Sequence, residues 1–397
     1  MSDSLHYSEA IFKTFRELKF GLVLSDVYLY HLMNAATAVF THGYRGKMVD
    51  IARISDKSRT SIAHFFNDGK WDSEQFESIL KETVIKTIYR ESEKTGKPIL
   101  CIVDDTIASH AKPQSQALHP IEAAYWHQSH LKKRQDYGHQ VVGVLLSCND
   151  IVLNYAMVLY DKGQSEKQSK IEIVQRIAEE LPVAPIKSYF LCDSWYSTSK
   201  IMDSFIAKGF YTVGALRTNR LIYPLNIKQQ VKEFALHLRK EDPNIHLVTV
   251  KGRDFYVYRY EGPLKDIEDA AVVLCYPKDA FGKPKALRVF LSTDGSLTTE
   301  ELLNLYAQRW NIEVFFRQCK GKLGFDKVQL RTKRGILRFW LIMSYVHLIC
   351  CTSDGEVRSF EDGFYTFQRE IIRERRIAIY NWGKSGLPLE DCFDDVA

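Results

Sequence analysis

Residues Tyr306-Ala307-Gln308-Arg309-Trp310-Asn311-Ile312-Glu313 run on through Phe315, Phe316 and Arg317 to Lys320. The stretch reads as one helix. Leu302, Leu303 and Leu305 lead into it, Thr298 or Thr299 can cap its start, and Gly321 and Gly324 loosen its end. With Tyr306 set at zero and a turn of about 100° per residue, Arg309 falls at about 300°, Lys320 at about 320° and Glu313 at about 340°. These polar side chains share one narrow stripe. Ile312, Phe315, Cys319 and Leu323 fill the adjoining face, which suits a helix anchored on a core. A phenol, a guanidinium, a carboxylate and an ammonium in line fit a metal ligand flanked by phosphate-holding groups. A solvated surface helix presents charged stripes too. The stripe alone therefore does not decide between a site and a surface.

The spacing Y-x2-R-x3-E-x6-K, met here as Tyr306, Arg309, Glu313 and Lys320, resembles the signature of one branch of the DDE transposases of bacterial insertion sequences. The resemblance covers about residues 99–340. It implies a ribonuclease H-like catalytic domain and a triad of two aspartates and a glutamate. It further implies a β-rich insertion, double-stranded DNA as partner, and a homodimeric synaptic complex with a hairpin intermediate.

Candidates for both aspartates stand where an open α/β sheet would bring them together. The apolar run Ile99–Val103 is a strand covered on both faces, and Asp104-Asp105-Thr106 follows it directly. Asp193 follows the apolar run 188–192 in the same way. Parallel neighbours place such strand ends side by side, where the crossovers diverge. Alternation does not choose between Asp104 and Asp105. The family motif, an acidic residue followed by Asp and Thr, implies that Asp105 is catalytic and Asp104 supporting.

Asp105, Asp193 and Glu313 are thus the expected catalytic and metal-binding residues. Gathered carboxylates repel one another and make a site for two Mg2+ ions, with Mn2+ able to substitute. Such ions sit about 3.5–4 Å apart and clamp an in-line phosphoryl displacement. Tyr306, Arg309 and Lys320, with Arg317 and Lys322, are the expected DNA contacts. From Tyr306 to Arg338 there are nine Lys or Arg against Glu313 and Asp326, a local polyanion-binding balance that the whole-chain charge of +5 does not reveal.

Composition indicates a folded, well-cored globular protein: 397 residues, 45% hydrophobic and 12% aromatic. The eight cysteines show no zinc spacing and sit largely in apolar runs, which suits a reducing, cytoplasmic setting; the resemblance implies a nucleoid-associated bacterial protein. No signal-peptide layout opens the sequence, and the longest uncharged run, 339–353, is short for a membrane span. Ser194 and Ser197 lack a nucleophile elbow. His110, His119, His127, His130 and His139 lack an acidic partner at ligand spacing, so they read as loop or structural residues, with Lys132-Lys133-Arg134 beside them for phosphates.

The expected organisation has five parts. Residues 1–97 form a helical DNA-binding domain, in which 47–66 resembles a helix-turn-helix with Arg59 at the start of its second helix. Residues 98–216 form the first part of the catalytic core: strand, hairpin, helix, strand, helix, strand. A β-rich insertion follows at 217–287, with a helix over 227–238. The core resumes at 288–352 with the Glu313 helix, and 353–397 form a C-terminal helical tail. The fold class is therefore α/β: a ribonuclease H-like mixed sheet with helices on both faces, a β-rich insertion and an N-terminal all-α domain. The function so read is two-metal-ion cleavage at transposon terminal inverted repeats and joining of 3′ ends to target DNA by cut-and-paste. The competing readings are a domesticated, non-catalytic DNA-binding protein and a ribonuclease H-like nuclease or resolvase.

Overall fold

The chain begins with helices α1 (Glu9–Glu17), α2 (Asp26–Val39), α3 (Met48–Ala52), α4 (Arg59–Asn67) and α5 (Ser73–Thr95). The structure is a computed structural model, and it describes residues 7–19, 24–114, 120–129, 132–164, 168–352, 358–386 and 388. His119, His130 and the acidic end of the tail lie outside the described residues. Local chemistry sets the helix limits. Asp72 accepts hydrogen bonds from the backbone N–H groups of Glu74 and Gln75, and Gly96 ends α5 at φ +66°.

The core sheet follows. Strand β1 (Leu100–Ser109) pairs antiparallel with β3 (Arg134–Cys148), which turns at Asn149 into β4 (Ile151–Tyr160). A strand not expected from the sequence, β2 (Tyr125–Ser129), pairs with the start of β3. Helices α6 (Lys170–Glu180) and α7 (Ser199–Ile206) carry the crossovers to β5 (Ser188–Cys192) and β6 (Phe210–Ala215), both parallel to β1. Leu100 to Val103 are all buried, as a strand with two covered faces requires. This is a ribonuclease H-like arrangement.

Beyond β6 the chain forms β7 (Leu221–Ile222), β8 (Gln229–Gln230), a short α8 (Val231–Ala235), β9 (Ile245–Val250), β10 (Arg253–Leu264) and β11 (Ile267–Pro277). It returns through β12 (Arg288–Ser292), which pairs with both β6 and β11. The β-rich stretch therefore extends the core sheet; among the described residues it makes one twelve-stranded sheet whose main path runs β2-β3-β1-β5-β6-β12-β11-β10-β7-β8, with β4 paired to β3 and β9 to β10 off that path. The helix expected over 227–238 is reduced to α8, because Gln229 and Gln230 pair with β7 instead. A second, smaller core lies in this part, built on Ile222, Val231, Val272, Leu274 and Leu291.

The last helices are α9 (Thr299–Ala307), α10 (Trp310–Gly321), α11 (Lys333–Thr352) and α12 (Phe360–Lys384). Thr298 and Glu301 form a capping box at the start of α9. Helix α11 is apolar and long enough to cross a bilayer, yet 78% of its apolar window is buried inside the molecule. It packs against β4, α2, α4, α5 and α12. Gly363 of α12 lies so close to the Cys350 carbonyl that a Cβ there would stand 1.8 Å from the oxygen.

Arg338 of α11 fixes the N-terminal helices to the core. It is 5% exposed and donates to the carbonyls of Phe66 (3.2 Å), Gly69 (2.8 Å) and Trp71 (2.9 Å). Replacing it by Met leaves those carbonyls without their donor. Arg338→Met should lower unfolding free energy by roughly 2–4 kcal/mol, measured by urea denaturation.

His347, 3% exposed, lies between Phe315 and Phe360. Burial pushes its imidazole down to about 4. The unfolded chain takes up this proton nearer pH 6.5, so stability is full above that value and falls as the pH drops towards 4. The loss reaches up to about 3 kcal/mol. Urea midpoints should fall from pH 7 to pH 5, and His347→Phe should reduce that slope.

Candidate active site

The last parallel pair between β1 and β5 is Val103 with Cys192. Directly beyond it stand Asp104, Asp105 and Asp193, at the end of the sheet where the two strands part. Alternation sends Asp104 and Thr106 to one face and Asp105 to the other. Helix α10 covers the Asp104 face. Lys320 donates to Thr106 Oγ1 at 2.8 Å, and the Phe316 ring covers Gly143, the residue paired with Asp104. Asp193 closes a tight turn by accepting the N–H groups of Trp195 (2.8 Å) and Tyr196 (3.4 Å).

The stretch 306–320 is not one helix. Gln308 and Arg309 bond back to residues three earlier, Leu305 and Tyr306, and this tighter turn separates α9 from α10. Tyr306 ends up on α9 with its ring against Phe290, while Arg309 stands at the head of α10. From there Arg309 bridges two acids. One guanidinium nitrogen is 2.7 Å from Asp104 Oδ2, and the other is 2.5 Å from Glu313 Oε1. Ile312, Phe315, Cys319 and Leu323 are buried, as the wheel requires.

Asp105 has different partners. Lys170, the first residue of α6, places Nζ 3.1 Å from its Oδ1, and Tyr196 donates to the same oxygen at 2.9 Å. Gln140 of β3 donates to Oδ2 at 2.5 Å. Asp105 and Asp193 line one cleft of about 600 Å³, together with Lys132, Lys162, Lys170, Lys320, Trp126 and Trp195. Both indoles are about half exposed.

Electrostatics agree with this crowding. Burial pushes the Asp104 carboxyl above the usual range, and the nearby Asp193 carboxylate adds to the push while Arg309 opposes it. Burial, then the Asp105 carboxylate, raise the Tyr196 phenol far above its ordinary value. Burial lowers the Lys320 ammonium. Each shift marks an ionisable group held in little water, where the charged form is disfavoured.

The other expected residues are dispersed. Arg317 is exposed on α10, and Arg59 is exposed at the start of α4. Lys322 turns away from the cleft: it lies 3.3 Å from Glu361 and donates to Tyr365 at 3.1 Å, fastening α10 to α12. Half-buried His110 and buried His139 bond ring to ring, 2.9 Å apart, and His139 bonds on to the Glu122 carbonyl. His127 is buried in the wall of the cleft, and its Nε2 has no partner. Lys170, Gln140 and Tyr196 were not singled out from the sequence. Lys170 opens an ordinary amphipathic helix, and only the fold carries it to Asp105.

Oxygen donors alone suit a hard divalent cation, so the chemistry of Asp105, Asp193 and Glu313 fits magnesium or manganese. Among the described residues, however, no three His, Cys, Asp or Glu side chains close around one point. Arg309 and Lys170 neutralise Glu313 and Asp105 instead.

The family model described as the transposase DDE domain matches residues 95–349, which span every element of this site. The chain belongs to the DDE-domain transposases. No curated protein matches it. Among solved structures, it is similar to the piggyBac transposase in a synaptic complex with hairpin DNA, solved by cryo-EM. That match has 12% identity, covers 91% of this chain and 76% of the other, and has a TM-score of 0.48.

The approach of α10 to the sheet depends on Gly143. A Cβ there would stand 2.7 Å from two atoms of the Phe316 ring. Gly143→Ala should shift α10 and lower catalytic turnover by roughly 100-fold. Pairing it with Phe316→Leu should recover much of the loss; a double variant as poor as the single one would show that the contact does not position Glu313.

Proposed function

We propose that the chain is a transposase of the Y-R-E-K branch, borne by a bacterial insertion sequence. It cuts phosphodiesters at the ends of the element and joins the 3′ ends to target DNA by cut-and-paste. The observation that carries this reading is the shared cleft of Asp105 and Asp193, edged by lysines, with Glu313 on a helix pinned to the same strand by Arg309 and Asp104.

Asp105, Asp193 and Glu313 would hold two divalent ions, which supply charge for the attacking and leaving oxygens of an in-line displacement. The remaining work falls to the chain itself. Lys320 and Lys132, in the cleft, bind backbone phosphates next to the scissile bond. Thr106 holds Lys320 in place, and Asp104 holds Arg309. Arg309 then presents its guanidinium to phosphate from the head of α10. Arg59 at the start of α4 suits a second DNA contact outside the cleft. The partner is double-stranded DNA, with two copies of the chain pairing two ends.

The test is strand cleavage on DNA bearing the element's ends, with Mg2+. Asp105→Asn, Asp193→Asn and Glu313→Gln should each lose roughly 1,000-fold or more in cleavage while DNA affinity stays close to wild type. Asp104→Asn should retain more activity than Asp105→Asn; the reverse order would exchange their roles. Lys320→Ala should weaken binding and reduce the salt slope by about one. Cleavage without a joined product would favour a simple nuclease or resolvase, and wild-type binding without cleavage a non-catalytic DNA-binding protein.

A further inference from the structure

We propose that Lys170 stands in for a divalent cation while the protein is free of DNA, and that backbone phosphate draws it off Asp105 when DNA binds. Metal loading and DNA binding are then one coupled event. The proposal rests on the reading that Asp105, Asp193 and Glu313 are the metal ligands.

The placement of Lys170 is the main observation. It is the first residue of α6, where the helix dipole disfavours a cation. It is 14% exposed at the side chain, and its ammonium lies 3.1 Å from Asp105 and 4.7 Å from the ring of Trp195. A lysine held there is explained by the acid it neutralises. Arg309 does the same for Glu313 and Asp104, at 15% side-chain exposure, and its Nε is buried without a partner. Each of the two outer carboxylates thus already has a protein cation, and the acids do not close around a point.

Lys170 can exchange partners. Lys170 and Asp105 line the same open cleft as Trp195 and Lys320, where a DNA phosphate would lie. The flexible lysine stem needs only to swing across Trp195 to reach it. A phosphate that takes up Lys170 leaves Asp105 with a lone negative charge, which favours a metal ion. By linkage, DNA tightens metal binding and metal tightens DNA binding by the same factor. Gln140 and Tyr196 remain on Asp105 and keep the carboxylate in place.

The experiment measures Mn2+ binding by electron paramagnetic resonance on the full chain, with no catalytic readout. Wild type, Lys170→Met and Lys170→Gln are compared without DNA, and wild type also with random-sequence duplex DNA, after subtracting Mn2+ held by DNA alone. Thermal melting checks that each variant folds. Removing the ammonium should tighten Mn2+ binding by about tenfold without DNA, and DNA should tighten binding to the wild type comparably. A merely structural lysine gives the opposite sign, since its loss would loosen the site. Adding Asp193→Asn should abolish the gain. If Lys170→Met leaves Mn2+ affinity unchanged or weaker, while Asp193→Asn weakens the wild type, the ligand assignment survives and this proposal fails. If Lys170→Met tightens binding but Asp193→Asn has no effect, the gain lies elsewhere, and the proposal fails with the assignment.

Discussion

Negative charges gathered at one end of a buried sheet must be neutralised, and that constraint organises this molecule. Asp104, Asp105 and Asp193 stand where β1 and β5 part, and Glu313 of α10 is linked to Asp104 through Arg309. Water cannot solvate such a group of acids fully, so the fold supplies cations. Arg309 ties Asp104 of the strand to Glu313 of the helix, and Lys170 ties Asp105 to α6. A buried ion pair of this kind is a poor source of net stability, because desolvation offsets most of the attraction. Its value here is geometric: it fixes which helix lies over which strand.

The same constraint explains how the surrounding fold is used. The carboxylates need rigid strand ends, and the β3–β1–β5–β6 layers provide them with fully buried apolar runs. Helix α10 needs a fixed depth, and the buried face from Ile312 to Leu323 sets it against α11 and the sheet. Lys322 fastens the far end of α10 to α12. The N-terminal helices share this core through Arg338, and α11 in turn meets α10 where the His347 ring packs on Phe315. The β-rich stretch lengthens the sheet through β12, which stands between β6 of the core and β11.

Much of this was legible in the sequence, and the exceptions have physical causes. Strands β1, β5 and β6 and the β3–β4 hairpin could be read because uninterrupted apolar runs end in polar turns. The buried face of α10 could be read because it repeats at helical spacing. The break at Gln308–Arg309 could not, since neither Gly nor Pro marks it and only a shift from four-back to three-back hydrogen bonds makes it. Strand β2 was hidden because Tyr125-Trp-His-Gln-Ser129 exposes two positions and pairs along one edge only. The partners of Asp105 were hidden because Gln140, Lys170 and Tyr196 are brought to it across 35, 65 and 91 residues. Lys322 was read as a DNA contact from its neighbours, but its local partner is α12.

The most direct test is an X-ray anomalous-scattering map of Mn2+ in crystals of the protein bound to DNA. Manganese should lie against carboxylate oxygens of Asp105, Asp193 and Glu313, with Lys170 turned onto phosphate. Manganese held by Asp104 in place of Asp105, or absent from this cleft while DNA fills it, would contradict the account.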